Sequence, residues 1–230
     1  MKTIIYDFDG TLTPSPIPKY EILEKYNITN ELINKKIINI IKNDNINDDE
    51  CIKLYQTIIK LFKEKNIELT YDIIILGSNK IQYNKNVNEF LKYLNQCNIN
   101  NYIISSGIKS YLENTTIAKF FNKIYATTFN YQDNIISNIK YLMNDKNKIN
   151  AIKDIIKNDN INIKDIIYIG DGLSDYYAFK YIYENNGTTI LLNKNADNKI
   201  KKFATLITEP DYSFDKELFK YIKNTCNIQD

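Results

Sequence analysis

The sequence predicts an α/β protein: a doubly wound parallel sheet with a helical segment inserted after the first strand. Three observations carry this expectation. Residues 3–8 form a β-branched and aromatic run that ends at an Asp/Gly turn. Residues 19–83 show helical periodicity. Beyond Asn86, apolar helix faces alternate with short apolar runs of strand length, the pattern of strands joined by crossover helices.

Residues 3–8 read as a buried strand that delivers its last residues to a sheet edge, where open α/β sheets do their chemistry. Pro14, Pro16 and Pro18 then break regular structure. In the insert, Leu32, Ile33, Ile37, Ile40 and Ile41 recur at three- and four-residue intervals, as do Leu54, Ile58, Leu61 and Phe62. Asn47 with Glu50 supplies a capping box for the second of these helices. The run 73–76 fits a strand or a helix, and its helical surroundings favour a helix. Val87, Phe90, Leu91 and Leu94 next share a helix face, and Tyr102, Ile103 and Ile104 form a strand running into Ser105-Ser106-Gly107. A helix over 149–156, a buried strand over 166–169, a helix over 176–183 and a strand over 189–192 follow. A short strand over 204–208 and a helix over 215–223 complete the order. One octapeptide, IIKNDNIN, occurs at 40–47 and again at 155–162. The match stops at both edges, so it reflects an Ile/Asn/Lys bias and not a structural repeat.

A chain of 230 residues can bury one substantial core and at most a second small one. The net charge is +2 and the pI near 8.2, with lysines and acids interleaved, which argues against a nucleic-acid partner. No stretch approaches the roughly 18 apolar residues of a membrane span, and the N-terminus lacks the regions of a signal peptide. A cytoplasmic location is expected. Cys51, Cys97 and Cys226 lie far apart, without the paired spacing of a zinc site or a disulfide framework. The chain has no histidine, tryptophan or arginine. Ser-His-Asp and Cys-His catalysis, phosphohistidine chemistry and histidine-ligated metals are thereby excluded. So are phosphatases built on a Cys/Arg phosphate loop. Any bound phosphate must be neutralised by lysine, backbone N–H groups or a metal ion.

The residues able to do chemistry are acidic. Asp7 and Asp9 stand two apart at the end of the first strand, followed by Gly10 and Thr11. If the strand breaks at Asp9, as Gly10 permits, both carboxylates face one pocket, where one can attack and the other can shuttle a proton. Alone, an Asp-x-Asp-Gly string is equally a turn with a helix cap. A second pair, Asp171 and Asp175, lies in Gly170-Asp171-Gly172-Leu173-Ser174-Asp175 directly after another apolar strand. Parallel strands bring both pairs to one sheet edge, where like charges near 4 Å repel by about 4 kcal/mol at an effective dielectric of about 20. A cation belongs among them, and an all-oxygen donor set without His or Cys selects a hard ion, Mg²⁺ when phosphate shares the coordination. Ser105 ends a strand and Gly107 is expected to open the next helix, so a hydroxyl and free N–H groups would converge on an anion. Lys146 sits at the start of the helix carrying Ile149 and Ile152, with Lys148 close enough to be confused with it.

Four motifs, Asp7-Phe8-Asp9-Gly10-Thr11, Ser105, Lys146 and Gly170-Asp171-Gly172-Leu173-Ser174-Asp175, thus appear in order and span most of the chain. In this the sequence resembles the haloacid dehalogenase superfamily of hydrolases, nearest to its phosphoserine-phosphatase-like group. The resemblance implies a Rossmann-like core formed by residues 1–13 and 84–230 and a small α-helical cap formed by residues 14–83. It implies an aspartyl-phosphate on Asp7, with Asp9 protonating the leaving group and then activating water. Mg²⁺ would be held by Asp7, Asp9 through its backbone carbonyl, and Asp171, with Asp175 supporting the site. Ser105, Ser106, Gly107 and Lys146 would bind the phosphoryl oxygens. An acid at the position of Asp9 is similar to phosphatases and phosphomutases, not to dehalogenases or transport ATPases. The expected activity is Mg²⁺-dependent hydrolysis of a small phosphomonoester. A phosphomutase or phosphotransferase, or a phospholigand-binding protein on the same fold, stand as alternatives. The segment 14–18 lacks the acid that phosphoserine phosphatases place shortly after the nucleophile, a departure that argues against phosphoserine itself.

Overall fold

The computed structural model describes residues 2–14, 23, 25–29, 31–35 and 50–229. Its centre is a 7-stranded sheet of order β4-β3-β2-β1-β5-β6-β7. The strands are β1 (Thr3–Tyr6), β2 (Asn100–Ile108), β3 (Lys123–Gln132), β4 (Ile135–Tyr141), β5 (Ile166–Gly170), β6 (Thr188–Leu191) and β7 (Leu206–Ile207). The pairings are parallel except β3 with β4. The expected doubly wound sheet is therefore present, with an antiparallel edge strand added.

β1 is central because it is apolar on both faces. Ile4, Tyr6 and Phe8 belong to one core cluster, while Ile5 belongs to the other, as a side-chain period of two requires. β5 divides in the same way, with Ile167 and Ile169 on the first face and Ile166 and Tyr168 on the second. Tyr6 is level with Ile103 of β2 and with Ile169 of β5. β2 to β4 build outward on one side of β1, and β5 to β7 on the other. The order thus reverses between β1 and β5, and a crevice opens at such a point beyond the carboxyl ends of the strands.

The helices are α1 (Glu50–Glu64), α2 (Tyr71–Ile74), α3 (Val87–Gln96), α4 (Lys109–Glu113), α5 (Asn147–Asn158), α6 (Tyr176–Glu184), α7 (Asn198–Lys201) and α8 (Glu217–Thr225), and all but the one-turn α7 fall near their expected places. The ambiguous run at 73–76 begins as helix, capped by the Thr70 hydroxyl, which accepts from the Ile73 N–H. Residues 31–35 are helical as well. Pro16, Pro18, Ile37, Ile40, Ile41, Asn47 and the first octapeptide copy lie outside the described residues. Among the described residues no helix is long and apolar enough to cross a membrane.

Two departures matter for the site. Gly107 does not open a helix: it lies within β2, where the pairing with β3 shifts register between Ser105 and Ile108. The β3–β4 hairpin was not anticipated either. Its two-residue turn, Asp133-Asn134, has φ of 50° and 69°, the doubly left-handed turn that matches strand twist and that Asn and Asp tolerate. The hairpin tip meets the insert, where Tyr71 N–H donates to the Asn134 carbonyl (2.8 Å) and Ile136 N–H to the Leu69 carbonyl (2.9 Å).

Between β1 and the insert the chain is fastened by Asn84. Its amide donates to the carbonyls of Thr11 (2.8 Å) and Thr13 (3.0 Å), and its backbone N–H donates to the Leu12 carbonyl (2.8 Å). The Tyr212 hydroxyl adds a second bond to the Thr11 carbonyl (3.0 Å). The points at which the chain leaves and re-enters the sheet are therefore tied to each other.

Candidate active site

The crevice between β1 and β5 is lined by carboxylates. Asp7 follows β1 by one residue, with its N–H still paired to the Ile169 carbonyl of β5 (2.8 Å). The strand then ends abruptly, because the Phe8 carbonyl accepts from the N–H groups of Thr11 (3.3 Å), Leu12 (2.8 Å) and Thr13 (3.3 Å). Gly10 makes that turn possible. It sits at φ +77°, and a Cβ there would collide with the Asp171 carboxylate.

Asp7, Asp171 and Asp175 each offer an oxygen within 4.8 Å of the others. Asp175 is fully buried and bound on both oxygens. Its Oδ1 accepts from Lys148 Nζ (2.7 Å) and the Tyr168 hydroxyl (2.7 Å), and its Oδ2 from the Asp171 N–H (3.2 Å). Lys148 also reaches Asp7 Oδ1 at 3.1 Å. A Cβ on Gly170 would strike the Asp175 carboxylate, so glycine is needed there for space.

The electrostatics follow from burial and crowding. Burial first, then Asp175, drives the Asp7 carboxyl well above the ordinary carboxylate range; Lys148 opposes this, and Asp171 and Asp9 add to it. Asp171 is pushed up to about 6, by burial and then by Asp175, with Lys148 and a backbone N–H pulling back and Asp9 adding. Burial alone would lower Lys148, but Asp175 and Asp7 outweigh it and hold the ammonium charged. The Tyr168 phenol is raised by burial, Asp175 and Asp7, so it stays protonated and donates.

Among the described residues one ammonium, that of Lys148, meets these carboxylates, and it does not balance them. The donor set is all oxygen, which suits a hard divalent cation such as Mg²⁺ and no ion that demands nitrogen or sulfur. Asp7 and Asp171 keep oxygens available for such an ion, whereas Asp175 is committed to protein donors on both oxygens.

The remaining expected site residues are placed as follows. Asp9 lies in the turn after Asp7, close enough for its charge to act on both Asp7 and Asp171. Ser105 is buried at the end of the straight part of β2, and its Oγ accepts from the Gly107 N–H (3.0 Å). That N–H is thus already engaged, and the free N–H groups expected there are reduced by one. The Ser106 carbonyl accepts from the Tyr55 hydroxyl of α1 (2.6 Å) and from Thr127 Oγ1 (3.0 Å). Lys146 is exposed at the N-cap of α5. The lysine among the carboxylates is Lys148, 0% exposed. Helical spacing carried the signal: Lys148 shares a face with Ile152 and Ile155, both buried, and Lys146 does not. Tyr168 was missed because a tyrosine in an apolar strand reads as core, and Tyr55 because its partner is a backbone carbonyl.

The haloacid dehalogenase-like hydrolase model matches residues 4–180, well over half of the chain. The chain belongs to the haloacid dehalogenase-like hydrolase family. No curated protein matches it at a significant level. Among solved structures it is similar to a substrate-bound phosphoserine phosphatase complex, with TM-score 0.69 and 21% identity over 96% of this chain and 97% of that one. It is also similar to a HAD family hydrolase from Salmonella enterica subsp. enterica serovar Typhi, with TM-score 0.69 and 18% identity over 94% and 72% of the two chains. A gene product of Archaeoglobus fulgidus gives TM-score 0.72 at 11% identity over 100% and 84%. At such identities these likenesses describe the fold, and the family membership is that of a hydrolase.

Proposed function

We propose that this chain is a Mg²⁺-dependent phosphatase that hydrolyses a small phosphomonoester through an aspartyl-phosphate on Asp7. The observation that carries the reading is the placement of Asp7. It is a buried carboxylate at the switch point of the sheet, gripped by Lys148 at 3.1 Å and within 4.8 Å of Asp171 and Asp175.

In this reading Asp7 and Asp171, with the Asp9 carbonyl, hold the metal, and Asp175 supports the site by fixing Lys148. Bound there, Mg²⁺ supplies charge neutralisation for the carboxylates and the phosphoryl oxygens. Lys148, rather than Lys146, meets the phosphoryl oxygens together with Ser105 and Ser106, while the Gly107 N–H holds the Ser105 hydroxyl in place. An oxygen of Asp7 attacks phosphorus as the ester bond breaks, and Asp9 delivers its proton to the departing alkoxide. Asp9, now a carboxylate, takes a proton from water as the water oxygen attacks phosphorus. Orthophosphate leaves, and Asp7 is restored. Residues 1–13 and 84–230 form the catalytic core in this reading, and residues 14–83 form a cap that selects the substrate.

The test is release of orthophosphate from an aryl phosphate and from a panel of phosphomonoesters. Activity is expected with Mg²⁺, abolished by EDTA and by Asp7→Asn, and lowered strongly by Asp9→Asn. Full activity in Asp7→Asn would refute the mechanism. Phosphate passing quantitatively to an added alcohol would make the protein a phosphotransferase instead.

A further inference from the structure

Asp175 owes one of its donors to a residue that belongs to no motif. Tyr168 lies in mid-β5 and turns its ring to the face covered by α5 and α6, in the core cluster that also holds Ile152, Ile155, Phe179 and Ile182. The ring packs edge-on to Phe179 (5.6 Å, 78°), which fixes where its hydroxyl can point. That hydroxyl reaches Asp175 Oδ1 at 2.7 Å, the same atom that accepts from Lys148 Nζ. Oδ2 is held by the Asp171 N–H. The carboxylate is thereby fixed in rotation, with Lys148 stretched between it (2.7 Å) and Asp7 (3.1 Å).

We propose that Tyr168 is a positioning residue for the phosphoryl-transfer site: its hydroxyl fixes Asp175 and so sets the distance of Lys148 from Asp7. The inference rests on the phosphatase reading above. Without the hydroxyl, Asp175 turns toward its one remaining donor at Oδ1 and draws the ammonium away from Asp7. The lysine then neutralises Asp7 and the phosphoryl oxygens less well as charge builds in the transition state.

Tyr168→Phe keeps the ring and its packing and deletes only the hydroxyl. With Mg²⁺, well below the unfolding temperature, kcat is expected to fall about 10- to 100-fold, with KM rising by no more than about tenfold. Binding of orthophosphate, read by calorimetry in Mg²⁺, should weaken about tenfold. Tyr102→Phe is the control, because Tyr102 makes a like bond to Asp159 (2.6 Å) from strand β2, on the far side of β1 from β5 and outside the acidic cluster. That variant should lose thermal stability while its kcat and phosphate affinity stay unchanged. A purely structural Tyr168 would behave as Tyr102 does, and that result would overturn the proposal. Should Tyr168→Phe not fold, 4-methylphenylalanine and 4-aminophenylalanine installed at position 168 fill the same space without and with a donor. The amino form should restore the rate that the methyl form lacks, and equal rates would overturn the proposal. A wild-type chain that releases no phosphate from any ester would instead remove the parent reading, and this proposal with it.

Discussion

Replacing Lys148 by methionine removes the cation that, among the described residues, is buried in the acidic cluster, at nearly constant volume. At 2.7 and 3.1 Å the ammonium attracts each carboxylate by about 5–6 kcal/mol at an effective dielectric of about 20. The desolvation of lysine offsets several kcal/mol of this, but Asp7 and Asp175 stay buried after the change, and stranding buried charge costs about 3–5 kcal/mol. For a chain of this length that is a fall of about 6–20 °C in the unfolding midpoint. The loss should be largest near pH 7.5 in EDTA and shrink as acidification protonates Asp7, whose carboxyl burial already raises. Activity should drop at least 10²- to 10³-fold, the usual loss of one preorganised donor to a developing oxyanion. Lys146→Met should change stability by less than about 0.5 kcal/mol and leave the rate within about twofold. The assays are chemical denaturation with and without Mg²⁺ and phosphate release from an aryl phosphate. If Lys146→Met abolishes turnover while Lys148→Met leaves it intact, the assignment of the phosphate-binding lysine is refuted.

Asp171 binds a proton in the metal-free fold up to about pH 6, whereas the unfolded chain releases it near 3.8. The associated stability is therefore fully present below about pH 4 and is lost as pH rises through about 6. Urea titrations in EDTA should show this decline, and Mg²⁺ should stabilise most above pH 6, where protons no longer compete for the ligand. Asp171→Asn should raise metal-free stability at pH 7.5, by at most about 3 kcal/mol, and abolish the Mg²⁺ increment; a less stable variant in EDTA would contradict the crowding described here. Gly10→Ala combines a left-handed φ with a collision at Asp171. It should cost about 1–2 kcal/mol for the backbone alone, with loss of Mg²⁺ affinity by calorimetry. Asn84→Ala strips a donor from two carbonyls and should lower stability by about 1–3 kcal/mol in denaturation.

Much of this was legible because the burial pattern is strong. β1 and β5 are apolar on both faces, so their strand character and central position follow from composition, and with them the meeting of Asp7 and Asp171 at one edge. The β3–β4 hairpin was not legible. Its strands interleave Lys, Asn, Thr and Tyr with few aliphatic residues, and the turn is Asp-Asn without glycine, so neither period nor punctuation stood out. Ser105-Ser106-Gly107 suggested a helix start because glycine and serine mark turns. A register shift in β2 answers the same demand for a bend without ending the strand. The choice between Lys146 and Lys148 needed the phase of α5, which depends on where the helix begins. Tyr168 could not be read at all, since its role is set by a hydroxyl meeting a residue seven positions away.

The Asn84 fastening carries a mechanical consequence. One amide grips the outgoing chain at Thr11 and Thr13, while its own backbone sits on the returning chain. Both crossings move as one piece with the turn that carries Asp9 and Gly10. A swing of the inserted segment must therefore pivot outside this knot, beyond Thr13 on the way out and before Asn84 on the way back. Any rearrangement of the inserted segment that preserves these bonds therefore leaves the acidic turn in its present shape.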